Sequence, residues 1–528
     1  MWASPPLPPR GGVKLSDTSL VVAMSGQTIE RTDIVPARIP TICSALQHNC
    51  RAAVARRQVT AEGRPCCHRS RFCYWGFALW DPPFQRYSGV ANKPGVVVPS
   101  DEIILNGGVR SRGVAADELR RHNLSAVVGR LHLGGPLSRS ELAGVTGLNR
   151  STIAALIGEL VALGLVDEGP SQAGPGPGRP SLVVLIRPTG AVVLAVELAV
   201  DSIAVATIGL GGHIFNQLRV ARPREHRSPT ETVCDIADLA RPILGSLPAG
   251  HHFMGVGVAV VGITRRSDGF VHLAPNLGWR DVPLGRLLAA ELDTGRPVAV
   301  ANEADLGALA EHRRGSHADA RHLIYVSGEV GIGAGVIQNG EPLLGAAGYA
   351  GEAGHMLINP SGRACRCGAI GCWETEAGEA ALLRHVGSRA RTTGLSILDV
   401  LSTRAAAGDA TVMAAIAEVG RWLGLGIGNL INLFNPDVVV LGGLYHRFFP
   451  YLESAVIDGA RSQVLEAPWA NVTIVPSSHG VGAPLIGAAE LVLSDTVADP
   501  ARAARTMDNG EVDVRRRRHS APEPQPGR

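Results

Sequence analysis

Three cysteines within eight residues, Cys365, Cys367 and Cys372, follow a histidine, His355, ten positions before the first of them. No other feature of the chain limits its fold as tightly. Three thiolates and one imidazole make a closed tetrahedral set, which suits structural zinc rather than a catalytic zinc with an open position. Gly368 and Gly371 let the loop turn tightly. The alternative is a group of free buried thiols. The chain has nine cysteines, an odd number, and its start, MWASPPLPPRGG, has no apolar core behind a basic segment. Both facts argue against a disulfide framework and for metal or thiols in a reducing compartment, so the expected location is cytoplasmic.

At 528 residues the chain is expected to form two to four domains. Hydrophobic residues are 45% and charged residues 18%, too apolar for a wholly disordered protein. The run Leu182–Gly212, read as the most apolar, is broken by Arg187, Glu197 and Asp201, so no membrane span is expected. Charge is unevenly placed. Residues 1–120 carry 15 Lys+Arg against 9 Asp+Glu, a net of +6; residues 121–190 carry 6 against 4; residues 501–528 carry 7 against 4. The total is +3, which leaves 3 − 6 − 2 − 3 = −8 for residues 191–500. A basic front before an acidic body suits a nucleic-acid-binding module joined to an effector body. The only lysines are Lys14 and Lys93, so no phosphate loop of the Gly-Lys-Ser/Thr type exists.

Residues 1–115 show no sustained period and read as a poorly ordered extension. Cys66, Cys67, His68 and Cys73 match no ordinary zinc-knuckle spacing. Residues 499–528 read as a disordered basic tail whose run Arg515–Arg518 is solvated.

Periodicity becomes clear from Ala116. Leu124, Val127, Val128 and Leu131 form one helical stripe, ended by Gly134-Gly135-Pro136. Ser138 and Glu141 make a capping box for a short second helix that stops at Gly147. Asn149 caps a third helix with the stripe Ile153, Leu156, Ile157, Leu160 and Leu163. That leaves Arg150, Ser151 and Thr152 in its first turn, free to meet a major groove. A Gly/Pro-rich loop with Arg179 follows, then a β-rich run, the pattern of a wing whose arginine can enter a minor groove. Residues 116–186 are therefore expected to be an α+β winged helix-turn-helix that binds double-stranded DNA. The alternative is a three-helix element used for protein contact.

The body carries NEADLGALAEHRRG (302–315), SGEVGIGAGVIQNGEPLLGAAGYAGEAGH (327–355), CRCGAIGCWE (365–374), APNLGW (274–279) and NPDVVVLGG (435–443). These segments resemble the ROK family of repressors and sugar kinases, over about residues 120–495. The resemblance implies an α/β fold for residues 187–498: two actin-like (RNase H-like) lobes of the sugar-kinase type with a sugar cleft between them, and a winged helix-turn-helix in front in the repressor branch. It implies the zinc set His355, Cys365, Cys367 and Cys372. It also implies sugar-hydroxyl partners at Asn302, Glu303, Glu352, His355 and Glu374, with Asn276 as a further candidate.

Two departures from the family's kinases argue against catalysis. Their phosphate-binding Asp-x-Gly-Gly-Thr loop is replaced by Glu197-Leu198-Ala199-Val200-Asp201, without glycine and with two carboxylates expected to repel a triphosphate. Their general-base Asp is replaced by Glu303, one methylene longer. The expectation is a non-enzymatic, sugar-responsive transcriptional regulator, a repressor, that acts as a homo-oligomer on a DNA operator. The alternatives are a sugar kinase with an accessory domain and a regulator that answers to a protein.

Overall fold

The computed structural model describes residues 110–170, 182–224, 227–387 and 395–503. The extension up to 109, including Cys66, Cys67, His68 and Cys73, lies outside the described residues, as do Arg179 and Arg515–Arg518.

The chain opens with α1 (Arg110–Gly134), β1 (Leu137–Ser138), α2 (Arg139–Thr146), α3 (Arg150–Ala162), β2 (Val166–Pro170) and β3 (Leu182–Ile186). The helix starts earlier than the boundary expected at 116. Leu124, Val127, Val128 and Leu131 of α1 are buried against Ile153, Leu156, Ile157 and Leu160 of α3, as the 3.6-residue period requires. Ser138 and Glu141 form the capping box of α2, and Gly147 closes it in the left-handed conformation at φ 71°. β1, β3 and β2 form a small antiparallel sheet in that order.

The first lobe follows: β4 (Val192–Leu198), β5 (Ser202–Gly209), β6 (Ile214–Ala221), α4 (Pro229–Gly245), β7 (Phe253–Val260), β8 (Ile263–Arg265), β9 (Phe270–Ala274), β10 (Trp279–Val282), α5 (Leu284–Leu292), β11 (Val298–Asn302) and α6 (Glu303–Arg314). The second lobe has β12 (Leu323–Gly328), β13 (Ile332–Gln338), β14 (Glu341–Pro342), α7 (Trp373–Ala377), α8 (Glu379–His385), α9 (Leu395–Ala406), α10 (Ala410–Phe434), β15 (Val438–Gly442), α11 (Gly443–Arg461), α12 (Glu466–Trp469) and β16 (Thr473–Pro476). The closing helix, α13 (Ala483–Ala498), returns to the first lobe and packs on β4 and β7.

The main sheets have the same plan. One runs β6-β5-β4-β7-β11 and the other β14-β13-β12-β15-β16. In each, the first strand pairs antiparallel with the second and parallel with the fourth. This is the duplicated α/β architecture expected from the sequence. β4 is buried at every position, which is why it reads as an unbroken apolar run.

The apolar core of the small N-terminal unit is continuous with that of the first lobe. Leu165 and Ile186 share one cluster with Ala191, Val193, Leu306, Leu485 and Ala488. Gly190 shows how close the junction is: a Cβ there would stand 2.4 Å from the carbonyl oxygen of Gly164.

Two of the described helices are also strongly apolar. α10 and Gly480–Ala498 have mean hydropathies of 1.3 and 1.4 over an 18-residue window, long and apolar enough to cross a membrane. Yet 50% and 61% of those windows are buried inside the fold, where both serve as core helices.

Candidate functional site

The cysteine loop is held from below. Trp373, directly after Cys372, is fully buried, and its indole N–H donates to the carbonyl of Trp422 on α10 at 3.0 Å. Gly426 of α10 makes room for it, since a Cβ there would lie 2.1 Å from the indole. The donor atoms of His355, Cys365, Cys367 and Cys372 all lie within 4.8 Å of one another. His355 Nδ1 is 3.7 Å from Cys365 Sγ, and the Sγ atoms of Cys367 and Cys372 are 3.6 Å apart. A tetrahedral ion with bonds of about 2.0–2.3 Å needs neighbouring donors at about this spacing. The four residues expected from the sequence are thus brought together in a set that could hold a metal ion. Because Nδ1 faces the sulfurs, Nε2 of His355 is left for another partner.

His355 also lines a cleft between the lobes enclosing about 760 Å³ and open to solvent. Asn302, Glu303, Glu352, Glu374 and Asn276 line it too, so every residue assigned to sugar binding reaches one cavity. Their positions follow from local structure. Asn302 ends β11 and caps α6: its Oδ1 accepts the N–H of Ala304 at 2.7 Å and of Asp305 at 3.3 Å. Its Nδ2 donates to the carbonyl of Gly262 at 3.1 Å, leaving one amide hydrogen for the cleft. Glu303 opens α6, and its Oε2 is buried without a hydrogen-bond partner. Glu374 Oε1 accepts from the Cys365 thiol at 2.9 Å, which ties the cleft to the cysteine loop. Asn276 accepts a hydrogen bond from Arg366, the residue between the first two cysteines.

Carboxyls crowd this cleft. Burial, then the nearby Glu329, pushes Glu303 well above the usual carboxylate range. Burial also raises Glu352, against the pull of His355. Asp305, in the same first turn of α6 and lining the adjoining pocket with Asn302 and Glu352, is pushed up to about 7 by burial, and Glu329 to about 8 by burial and by Glu197 and Asp201. Burial thus favours the protonated form of these carboxyls, which could donate hydrogen bonds, beside groups that accept them. Glu329 and Arg366 were missed from the sequence. Arg366 was signalled by its place between two ligating cysteines; Glu329 lay in a glycine run with no such marker.

A second cavity of about 560 Å³ lies between the β4–β5 turn, the β12–β13 turn and the start of α11. Ala199 and Val200 fill the first turn as buried side chains. The expectation that Glu197 and Asp201 present bare negative charge needs correction. Both oxygens of Glu197 accept from Arg219, at 2.7 and 3.2 Å, and Asp201 pairs with Arg224 at 3.1 Å. Arg224 also reaches across to the buried Glu379 on α8 at 2.6 Å. The arginines neutralise the acids, so repulsion of phosphate is not the reason this turn differs.

In the N-terminal unit, Arg150 and Ser151 are exposed at the start of α3 and Thr152 is half-buried. Asn149 Oδ1 accepts the Thr152 N–H at 2.8 Å and the Ser151 hydroxyl at 2.7 Å. The Ser151 hydroxyl is thus engaged in the cap, whereas Arg150 makes no ion pair among the described residues.

Two lobes of one plan, closing on a cleft of amides and carboxyls, define a protein of the sugar-kinase fold. The chain belongs to the ROK family, whose model matches residues 193–495. It is similar to the xylose repressor of Bacillus subtilis (strain 168), at 32% identity, covering 68% of this chain and 91% of that protein. Among solved structures it is similar to a ROK family transcriptional regulator, a homologue of the E. coli MLC protein, with TM-score 0.60 and 27% identity over 75% of this chain and 100% of that one. It is also similar to a ROK family glucokinase from Streptomyces griseus in complex with glucose and AMPPNP, with TM-score 0.50 and 27% identity over 57% of this chain and 99% of that one.

Proposed function

We infer that this protein is a sugar-responsive transcriptional regulator, a repressor, that binds a DNA operator through residues 116–186 as a winged helix-turn-helix and a pyranose in the cleft of residues 187–498. The observation that carries the reading is Arg150, exposed at the start of α3 and without an ion pair among the described residues, in a unit whose core is continuous with a sugar-kinase lobe. The xylose repressor and the MLC-like regulator support it by likeness over most of their length.

In this reading Arg150 reads base edges, Thr152 and the α3 amides hold phosphate, and Arg179 enters the minor groove. Asn302, Glu303, Glu352, His355 and Glu374 partner sugar hydroxyls. The ion held by His355, Cys365, Cys367 and Cys372 is zinc, which supplies structure rather than chemistry. Two copies meet two half-sites, and the protein works in the cytoplasm, where the DNA is.

The test is retardation of the protein's own promoter fragment at about 0.15 M salt, with and without D-xylose or D-glucose. Specific binding that is lost on Arg150→Ala, at a cost of about 1–3 kcal/mol, is expected. Binding no tighter than to random DNA overturns the reading. The glucokinase likeness favours a second reading, a sugar kinase. The glycine-free turn at Ala199–Asp201 weighs against it, and sugar-dependent ATP turnover of about 1 s⁻¹ or more would establish it.

A further inference from the structure

We propose that α6 is the element that carries lobe movement to the DNA-binding unit, and that Arg314, Glu490 and His132 are the joint at its far end. The proposal rests on the regulator reading above and adds to it the means by which the cleft is heard at the operator.

α6 touches both lobes and the closing helix at backbone distance. A Cβ on Gly335 of β13 would stand 2.3 Å from the carbonyl oxygen of Ala304, and a Cβ on Gly307 would stand 2.3 Å from the Tyr325 ring of β12. On another side, a Cβ on Gly487 of α13 would stand 1.8 Å from the carbonyl oxygen of Leu306. Only glycine allows these approaches. Closely packed surfaces of this kind shift as wholes rather than deform. A change in the angle between the lobes therefore has to move α6 against one of its neighbours.

The two ends of α6 have different company. Its start, Asn302-Glu303, is in the sugar cleft. Its 12 residues span about 18 Å and end at Arg314. There Arg314 Nε donates to Glu490 Oε1 of α13 at 2.5 Å, with side-chain exposures of 14% and 2%. The other oxygen, Oε2, lies 3.0 Å from Nε2 of His132, which is 3% exposed and sits near the end of α1. The backbone N–H of Gly211 points at His132 Nδ1 at 2.9 Å. An amide can only donate, so Nδ1 accepts; Nε2 faces both Glu490 Oε2 and Arg314 Nη2, the latter at 2.7 Å. Arg314 Nη1 completes the joint by donating to the carbonyls of Gly211 at 3.0 Å and His132 at 3.3 Å. One carboxylate thus binds the end of the cleft helix to the first helix of the DNA-binding unit. In so dry a setting such a link is directional and costly to break. Arg314, Glu490 and His132 touch neither cleft nor DNA-reading helix, so they are positioning residues.

The experiment uses the full chain and its promoter fragment, with operator affinity measured by fluorescence anisotropy with and without D-xylose and D-glucose. Wild type is expected to lose about tenfold or more in operator affinity with one of these sugars, and Arg314→Gln less than about threefold. Sugar affinity of the DNA-free protein, by calorimetry, and metal content should stay at wild-type levels. His132 supplies a finer pair of variants. His132→Gln places an amide, both donor and acceptor, where Nε2 meets Glu490 and Arg314, and should keep most of the response. His132→Asn keeps only the acceptor for Gly211 and should lose it. A folded Arg314→Gln that answers sugar like wild type overturns the joint. So does an equal response from His132→Gln and His132→Asn, a result that holds even if Arg314→Gln does not fold. A wild type that binds its operator and answers neither sugar overturns the effector reading beneath the proposal, an outcome the variants cannot mimic.

Discussion

The two lobes share a sheet plan, yet their first hairpin turns are built in opposite ways. The turn after β4 is glycine-free, with Ala199 and Val200 buried in it and its acids held by arginines. The turn after β12 is glycine-rich because its neighbours crowd it. A Cβ on Gly328 would stand 2.5 Å from the Tyr445 ring, and one on Gly331 would stand 2.4 Å from Glu374 Oε2. Its acid, Glu329, forms no salt bridge among the described residues and is instead kept protonated up to about 8. One turn neutralises carboxylates with cations, the other with a proton. The lesson concerns glycine runs: SGEVGIGAG is explained by close packing inside the protein, with no nucleotide required.

The comparison can be broken hardest in the second lobe. Its cysteine loop carries Glu374 against the glycine-rich turn, so removing a ligand should loosen both. Cys367→Ser is expected to reduce bound zinc from about one per chain to none and to lower the thermal midpoint strongly, since structural zinc contributes up to about 10–16 kcal/mol in small domains. Elemental analysis with thermal unfolding measures both. A Cys367→Ser protein that unfolds like wild type would mean that the loop does not support this lobe.

The first lobe should respond less, and through charge. Arg219→Met leaves Glu197 buried without its partner, and breaking such a pair costs about 3–5 kcal/mol. Replacing both, with Glu197→Leu and Arg219→Met, should recover most of that loss, because two apolar groups carry no unpaired charge. Denaturant unfolding of the two variants decides it. A double variant no more stable than Arg219→Met would show that the pair is more than mutual neutralisation.

What the sequence disclosed follows the range of the interactions. The stripes of α1 and α3, the capping box at Ser138 and the His355–Cys365–Cys367–Cys372 cluster are local patterns, and they were legible. The residues lining the cleft were legible through family resemblance. The Glu197–Arg219 pair was not, because it depends on strand register. Glu197 lies opposite Ala204 in β5, and Ala204 lies opposite Arg219 in β6. The small side chain between them lets the guanidinium reach across the strand. Nothing within a few residues of Glu197 signals this. The joint at Glu490 is hidden for the same reason: its partners are 176 and 358 positions away in the chain.

The smallest expected effect separates a proton from a cation as the neutralising agent. Asp305 on α6 is pushed from 3.8 up to about 7, chiefly by burial, and Glu329 in the second turn from 4.5 up to about 8, chiefly by burial. Both values are raised, so the folded protein holds these protons more tightly than the unfolded chain does. Their contribution to stability is complete below about pH 4 and is lost as pH rises through about 7 and 8. The thermal midpoint of the wild type should therefore fall between pH 6 and pH 8.5 more steeply than that of Asp305→Asn with Glu329→Gln, whose amides do not titrate. Glu197 and Asp201 mark the contrast in their partners, Arg219 and Arg224, although burial also raises Glu197. Removing Arg224 with Arg224→Met should move Glu329 further up, because one of the cations that lowers it is gone. The midpoint would then go on falling to a higher pH than in wild type. If the double amide variant keeps the wild-type slope, the protons are held elsewhere, and the two turns are not opposites.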